Sequence, residues 1–156
     1  MITIAQLTRL PRKFSKYYDR QFLPLLEKTG ISMRELHVLL FLANHPGQDT
    51  ARDVTELRGL AKSQVSQAVE ALTGRGLLAR RADGEDRRVV HLEITEQGAP
   101  LAREAQAVQA ACGRRLLAGL TEEEQAVFLA LLERVLRETE KLSVETVSYT
   151  HLTLPT

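Results

Sequence analysis

A mainly α (α+β) chain, helical towards both ends with one small β-hairpin between, is the fold class this sequence predicts. Three observations predict it. Apolar residues recur at i, i+3, i+4 and i+7 in segment after segment, the spacing that lines one face of a helix. The period falls to two only on either side of "DGED", between Leu77 and Ile94, as a hairpin requires. Thr95 to Gly119 is rich in Ala, Gln, Leu and Arg, with no proline after Pro100, and so reads as one long helix.

The elements follow in order. Phe14, Tyr18, Phe22, Leu25 and Leu26 repeat at helical spacing, and Pro24 should bend or loosen that first helix. Ser32 and Glu35 form a capping box bracketed by the staple pair Ile31 and Leu36. The helix they start carries Leu36, Leu39, Leu40 and Ala43 and stops at "NHPG". Thr50 caps a short helix with Val54 and Leu57 as its expected inner face, and Gly59 ends it. "AKSQVSQAVEALTGRG" then places Val65, Ala68, Val69 and Leu72 on one face. A short helix, a glycine turn and a second amphipathic helix make a helix-turn-helix, and a hairpin directly after it makes a wing. In the hairpin, "LLARRA" and "RVVHLEI" are the expected strands, with Val90, Leu92 and Ile94 on one face. Thr95 is the expected cap of the long helix that follows. Thr121 with Glu124 starts the last helix, whose apolar face is Val127, Leu131, Leu132 and Val135. Two long C-terminal helices carry more apolar surface than a small winged module covers, so a second copy of the chain is the expected cover.

The expected organisation is therefore an N-terminal dimerisation helix over 1–30, a winged module over 31–98 and C-terminal dimerisation helices over 99–146. The last ten residues, 147–156, "VSYTHLTLPT", resemble one reading frame of a common transposase sequencing adapter and are expected to be non-native. The alternative is a disordered natural tail, since Thr-rich ends are often disordered. Sequencing the source DNA across codon 146 separates the two.

Composition narrows the function. At 156 residues the chain fits one domain better than a two-domain enzyme. It lacks an apolar run long enough to span a bilayer and lacks a signal-peptide layout, so the expected compartment is the cytoplasm. Cys112 is the only cysteine, which excludes an internal disulfide and leaves no zinc-ligand spacing. The net charge of +1 hides an asymmetry: +4 over residues 1–47, +1 over 48–91 and −4 over 92–156. Such ends attract each other, within one chain or between two. Any case for nucleic acid must then be local.

The local case begins at Lys62. With Val65, Val69 and Leu72 turned inward, Lys62, Ser63, Gln64, Ser66 and Gln67 form the outward edge of the second helix, together with Glu70. Gln pairs with N6 and N7 of adenine, Lys suits guanine or phosphate, and Ser reaches a base or a phosphate. The same residues also suit plain solvation; their place after a turn and before a wing favours DNA. In the wing, Arg81, Arg87 and Arg88 sit among Asp83, Glu85 and Asp86. On an extended strand Asp86 and Arg88 point the same way, so the acid is expected to brace the guanidinium for a narrow minor groove. Arg81 and Arg87 are expected to reach phosphates. An ordinary surface ion pair, contributing about 0–1 kcal/mol, is the other reading.

"LLARRADGEDRRVVHLEITEQG" resembles the wing of the MarR family of bacterial transcription regulators, with its D-x-R and L-T-x-x-G pattern at Asp86, Arg88, Thr95 and Gly98. Ile94 stands where the family usually has Leu. The resemblance covers about residues 10–143. It implies a homodimer with intertwined first and last helices, a pseudo-palindromic double-stranded DNA operator and wing arginines in the flanking minor grooves. It also implies a small-molecule effector that releases the DNA. Tyr17, Tyr18, Phe22, His37 and Phe41 are the candidate lining of an effector crevice, with core packing as the alternative for each. Two departures bear on the operator: Ala61 replaces a frequent capping Ser or Thr, and Gln67 replaces a frequent basic residue. Some relatives sense oxidants through a cysteine near the N-terminus; Cys112 lies elsewhere and reads as packing. No cofactor and no metal are expected, since His37, His45 and His91 show no convincing carboxylate–His set. A winged module that binds protein instead of DNA is the alternative in another class, and the polar "KSQVSQ" face argues against it. Signatures of a hydrolase, kinase or dinucleotide enzyme are absent from the sequence.

Overall fold

The computed structural model describes residues 4–149. Its elements are α1 (Ile4–Gln21), α2 (Leu23–Thr29), α3 (Met33–Asn44), α4 (Ala51–Arg58), α5 (Lys62–Gly74), β1 (Leu78–Ala82), β2 (Val90–Ile94), α6 (Ala99–Leu116) and α7 (Glu122–Tyr149). The chain divides into two compact units, Met1–Gly113 and Arg114–Thr156. The sheet is the antiparallel pair β1–β2, with Leu78 opposite Ile94, Arg80 opposite Leu92 and Arg81 opposite His91. Most of the expected adapter-derived tail, residues 150–156, lies outside the described residues; α7 continues helically as far as Tyr149.

The predicted caps set the boundaries. Ser32 Oγ accepts the backbone N–H of Glu35 at 3.2 Å and donates to its carboxylate at 2.7 Å, starting α3. Thr50 and Asp53 satisfy each other's backbone N–H at 3.1 and 2.9 Å, a reciprocal box that starts α4. Thr121 and Glu124 do the same for α7. Pro24 falls in the first turn of α2, where its missing N–H is harmless, so the expected loosening becomes a break at Phe22 between α1 and α2.

The core belongs to the first unit. Leu36, Val38, Leu39, Leu40 and Phe41 are all buried, so α3 is apolar nearly all round and forms its centre. Val65, Ala68, Val69 and Leu72 of α5 pack into the same cluster, with Val54, Leu77, Leu78 and Leu92. Leu101, Ala102 and Ala105 of α6 join it too, so the start of this helix is core as well as candidate interface. One expected core residue is displaced: Leu57 is 57% exposed. An eight-residue helix seats Val54, and Gly59, left-handed at φ 68°, turns the chain so that Leu60 packs on the core instead. The strands are shorter than "LLARRA" and "RVVHLEI": Leu77 still closes the end of α5, its N–H donating to the Leu72 carbonyl at 2.9 Å, and residues 83–89 are taken up by the turn. The long helix also starts later than expected: Thr95 holds a turn over 95–98, and α6 begins at Ala99.

In the second unit, Val127, Phe128, Leu131, Leu132 and Val135 of α7 are 39–60% exposed. These residues fall on one helical stripe.

Candidate nucleic-acid interface

α4 and α5 meet across the Gly59 turn. Lys62, Ser63, Ser66 and Gln67 are exposed on α5, while Gln64 is half-buried. Ala61 precedes the helix and has no hydroxyl, so the orphan N–H groups there need another acceptor. Gln64 supplies one, its Oε1 accepting the Ala61 N–H at 3.2 Å. Replacing Gln64 by Ala is therefore expected to weaken binding to every duplex through a frayed helix start, by about 0.5–1 kcal/mol, beyond any loss of base preference. Replacing the exposed Gln67 should relax preference without that uniform loss. Binding measured on matched and scrambled duplexes separates the two effects, and equal behaviour of both variants would contradict it.

Two arginines fasten α5 at its far end. Arg80 of β1 donates to Glu70 at 2.9 Å. Arg75, just past α5, donates to the carbonyl of Gly30 at 2.9 Å and to that of Thr29, closing the end of α2 onto α5. Neither arginine is marked by a sequence pattern, because both contacts depend on tertiary placement. A cavity of about 470 Å³ opens between α4, α5 and the hairpin, bordered by Lys62, Ser66, Val69, Arg80 and Val90.

The wing corrects one expectation. Arg87 and Arg88 lie in a turn, not on an extended strand, so Asp86 and Arg88 do not run side by side. Asp86 Oδ1 instead accepts the backbone N–H of Arg88 at 2.9 Å. Asp83 Oδ1 likewise accepts the N–H groups of Glu85 and Asp86, both at 2.8 Å. These short acids serve as turn residues, holding backbone donors that have no strand partner. Arg81 is tied to Glu93 across the hairpin, which limits its reach to a phosphate. Among the described residues, the Arg87 and Arg88 side chains have no ion-pair partner, and Glu85 is the one wing-turn acid without a bond from its carboxylate.

His91 was set aside in the sequence for want of carboxylates, and the structure supplies two. Its Nδ1 lies 2.6 Å from Asp49 Oδ1 and its Nε2 2.9 Å from Asp83 Oδ2. Asp49 first, then Asp83, raise its pKa. Asp83 is held well below the usual carboxylate range, by the Asp86 N–H first and then by His91. The two acids sit at opposite ring nitrogens, so they do not converge with the imidazole on one cation.

The hairpin closes behind the wing. Thr95 Oγ1 donates to the Gly76 carbonyl at 2.6 Å and accepts the Gly98 N–H at 3.0 Å. Gly98 lies so close to the Leu77 carbonyl that a Cβ there would come within 2.2 Å of its oxygen. This explains the Thr and Gly of the T-x-x-G pattern.

The five expected crevice residues do not form one lining. Phe22 and Phe41 are core, and Tyr17 is exposed. Tyr18 packs edge-on against Phe22, with centroids 4.9 Å apart, and its hydroxyl accepts from Gln109 at 2.9 Å. Its pKa is raised by burial. His37 has its pKa lowered by burial first and by the Arg58 charge second, and its Nε2 is buried without a partner among the described residues. Arg58, missed in the sequence, also bears on Tyr18. Tyr18 and His37 thus share the influence of the Arg58 charge, and the cavity beside α5 contains none of the five expected residues.

A short helix, a glycine turn, a polar-edged second helix and an adjoining two-stranded hairpin define a winged helix-turn-helix DNA-binding module. A MarR family profile matches residues 29–89. The Bacillus subtilis regulator MhqR is 31% identical over 129 residues, covering 83% of this chain and 86% of its own. The Bacillus subtilis repressor MdtR is 33% identical over 104 residues, 67% of this chain and 66% of its own length. The crystal structure of transcriptional regulator PA3341 superposes with a TM-score of 0.72 at 29% identity, over 88% of this chain and 97% of that one. The MepR–DNA complex of S. aureus shares the fold, with a TM-score of 0.66 at 23% identity over 88% and 98% of the two chains. The chain belongs to the MarR family and is a transcriptional regulator, not an enzyme. No helix among the described residues is long and apolar enough to cross a membrane.

Proposed function

We propose that this protein is a homodimeric repressor that reads a pseudo-palindromic operator and releases it when a small molecule binds. α5 enters the major groove with Lys62, Ser63, Ser66 and Gln67 towards the bases, and the wing carries Arg87 and Arg88 to the flanking minor groove. The observation that carries this reading is the state of the wing turn. Asp83 and Asp86 are spent on backbone donors and His91, which leaves the guanidinium groups of Arg87 and Arg88 without an ion-pair partner among the described residues. A loop built for solubility alone has no reason to separate its acids from its bases in this way. Repression is supported by the relation to MdtR, and DNA contact by the fold shared with MepR. In the proposed organisation residues 31–98 form the winged module, and residues 1–30 and 99–146 supply dimer contacts.

The homodimer rests on α7, whose apolar stripe of five residues is too large to leave in water. A two-fold dimer presents two recognition helices, which is why the operator should be palindromic. Replacing Leu132 by Glu is expected to shift sedimentation at micromolar protein from dimer to monomer and to remove operator binding with it. A dimer that persists would place the interface elsewhere.

Effector relief is assigned to the region of Tyr18 and His37, both of which feel the Arg58 charge. There the buried His37 Nε2, without a partner among the described residues, suits the hydroxyl or carboxyl of a small phenolic or carboxylic acid. Selection of genomic fragments by the purified protein, followed by gel shifts with and without candidate acids such as salicylate, tests the whole reading. Binding to all fragments alike would refute sequence-specific repression.

A further inference from the structure

We propose that His91 is a positioning residue for the wing: protonated and bridged between Asp49 and Asp83, it fastens the wing turn to the loop leading into α4, and DNA affinity depends on that fastening. The inference rests on the DNA-contact role proposed above for Arg87 and Arg88.

The argument starts from donor counting. A neutral imidazole has one N–H donor and one acceptor, whereas an ionised carboxylate only accepts. His91 meets a carboxylate oxygen at each nitrogen, 2.6 Å from Asp49 and 2.9 Å from Asp83. Both contacts are hydrogen bonds only when both nitrogens carry protons. Loss of one proton turns a lone pair towards a carboxylate, and one side of the bridge opens. The residues joined are far apart in sequence: Asp49 follows α3, and Asp83 opens the wing turn. The isolated bridge between Thr50 and His91 and the bond from the Leu92 N–H to the Asp49 carbonyl, at 2.7 Å, run along the same seam.

Asp83 couples this bridge to the DNA-facing cations. One of its oxygens receives His91 while the other holds the N–H groups of Glu85 and Asp86. Asp86 in turn holds the Arg88 N–H. Freeing His91 therefore loosens the anchor of the turn that carries both unpaired arginines.

The charged groups around the ring set the sign. Asp49 and Asp83 favour its cation, and Arg81, its cross-strand partner, opposes it. Arg81 is itself tied to Glu93, and on the α4 side the carboxylate of Asp53 is engaged by Thr50. The net effect raises the pKa of His91, so the fastening is complete below the ordinary histidine value. It is lost as pH rises through the higher value of the folded protein. Asp83 remains ionised throughout.

The test uses the whole 156-residue chain and a duplex selected by it from a random-sequence pool. Affinities of the wild type, His91→Gln and Arg88→Ala are measured at fixed salt from about pH 6 to about pH 9, the span in which a histidine with a raised pKa titrates. The wild type should lose affinity towards alkaline pH. His91→Gln should bind roughly three- to tenfold more weakly at the acid end, the size of one ordinary net hydrogen bond, and should lack the alkaline loss. Wild-type affinity and slope in His91→Gln, with Arg88→Ala weakened, would overturn the positioning role and leave the wing reading intact. An unchanged Arg88→Ala would remove the wing reading, and this inference with it. Nitrogen NMR shifts of the wild-type imidazole give a measurement independent of any variant's folding: a neutral ring at the acid end overturns the proposal.

Discussion

Replacing Arg88 by alanine is expected to weaken operator binding at least about tenfold and to lower the salt slope by about 1.8. A released counterion contributes about 0.9 per phosphate neutralised, and a dimer carries two wings. The effect is large because, among the described residues, Arg88 has no ion-pair partner to give up; its guanidinium is free to move from water to a polyanion. Arg81 is tied to Glu93, so Arg81→Ala should change the slope much less. Asp86→Ala removes the acceptor of the Arg88 N–H and should reduce affinity with little change in slope, since no cation is lost. Anisotropy titrations at several salt concentrations order the three variants. Equal slopes for Arg88→Ala and the wild type would remove the wing from the contact surface.

Replacing Gly98 by alanine should lower stability by about 3 kcal/mol, roughly 6–12 °C in Tm for a chain of this size. The new methyl would lie 2.2 Å from the Leu77 carbonyl oxygen and 3.2 Å from Ile94 Cγ2. The first contact is with backbone, which a rotamer change does not relieve. Moving Leu77 disturbs the bond its carbonyl accepts from the Thr95 N–H, and moving Gly98 disturbs the one it donates to Thr95 Oγ1. Gly84 is the control: a Cβ there meets nothing within 4 Å, and Gly84→Ala should melt near the wild type. Equal melting of the two variants would show that the close approach is not a constraint.

Much of the fold is local, and local features are legible in a sequence. The boxes at Ser32, Thr50 and Thr121, the left-handed Gly59 and the change of period after Gly76 each depend on residues within a few positions. The burial of Val65, Ala68, Val69 and Leu72 follows from their spacing alone. Leu57 was misplaced because helical spacing gives a face but not the chain reversal that brings Leu60 inward. Asp86 was misread because the extended strand begins at Val90; two residues earlier the backbone turns, and the alternation rule does not apply there. His91, Arg58 and Arg75 act through partners from other elements: Asp49 lies 42 residues from His91 and Gly30 lies 45 from Arg75. No periodicity encodes such pairings.

Gln64 carries a consequence for how this regulator can change its target. It stands on α5 among the proposed DNA-facing residues, yet its side chain also accepts the Ala61 N–H at the helix start. Of the common side chains, Glu shares the reach and the acceptor needed there. Change at position 64 therefore trades target preference against the order of the helix start. A Ser or Thr at position 61 would soften that trade by adding a separate bond, its hydroxyl accepting the N–H of residue 64, without replacing the one Gln64 makes.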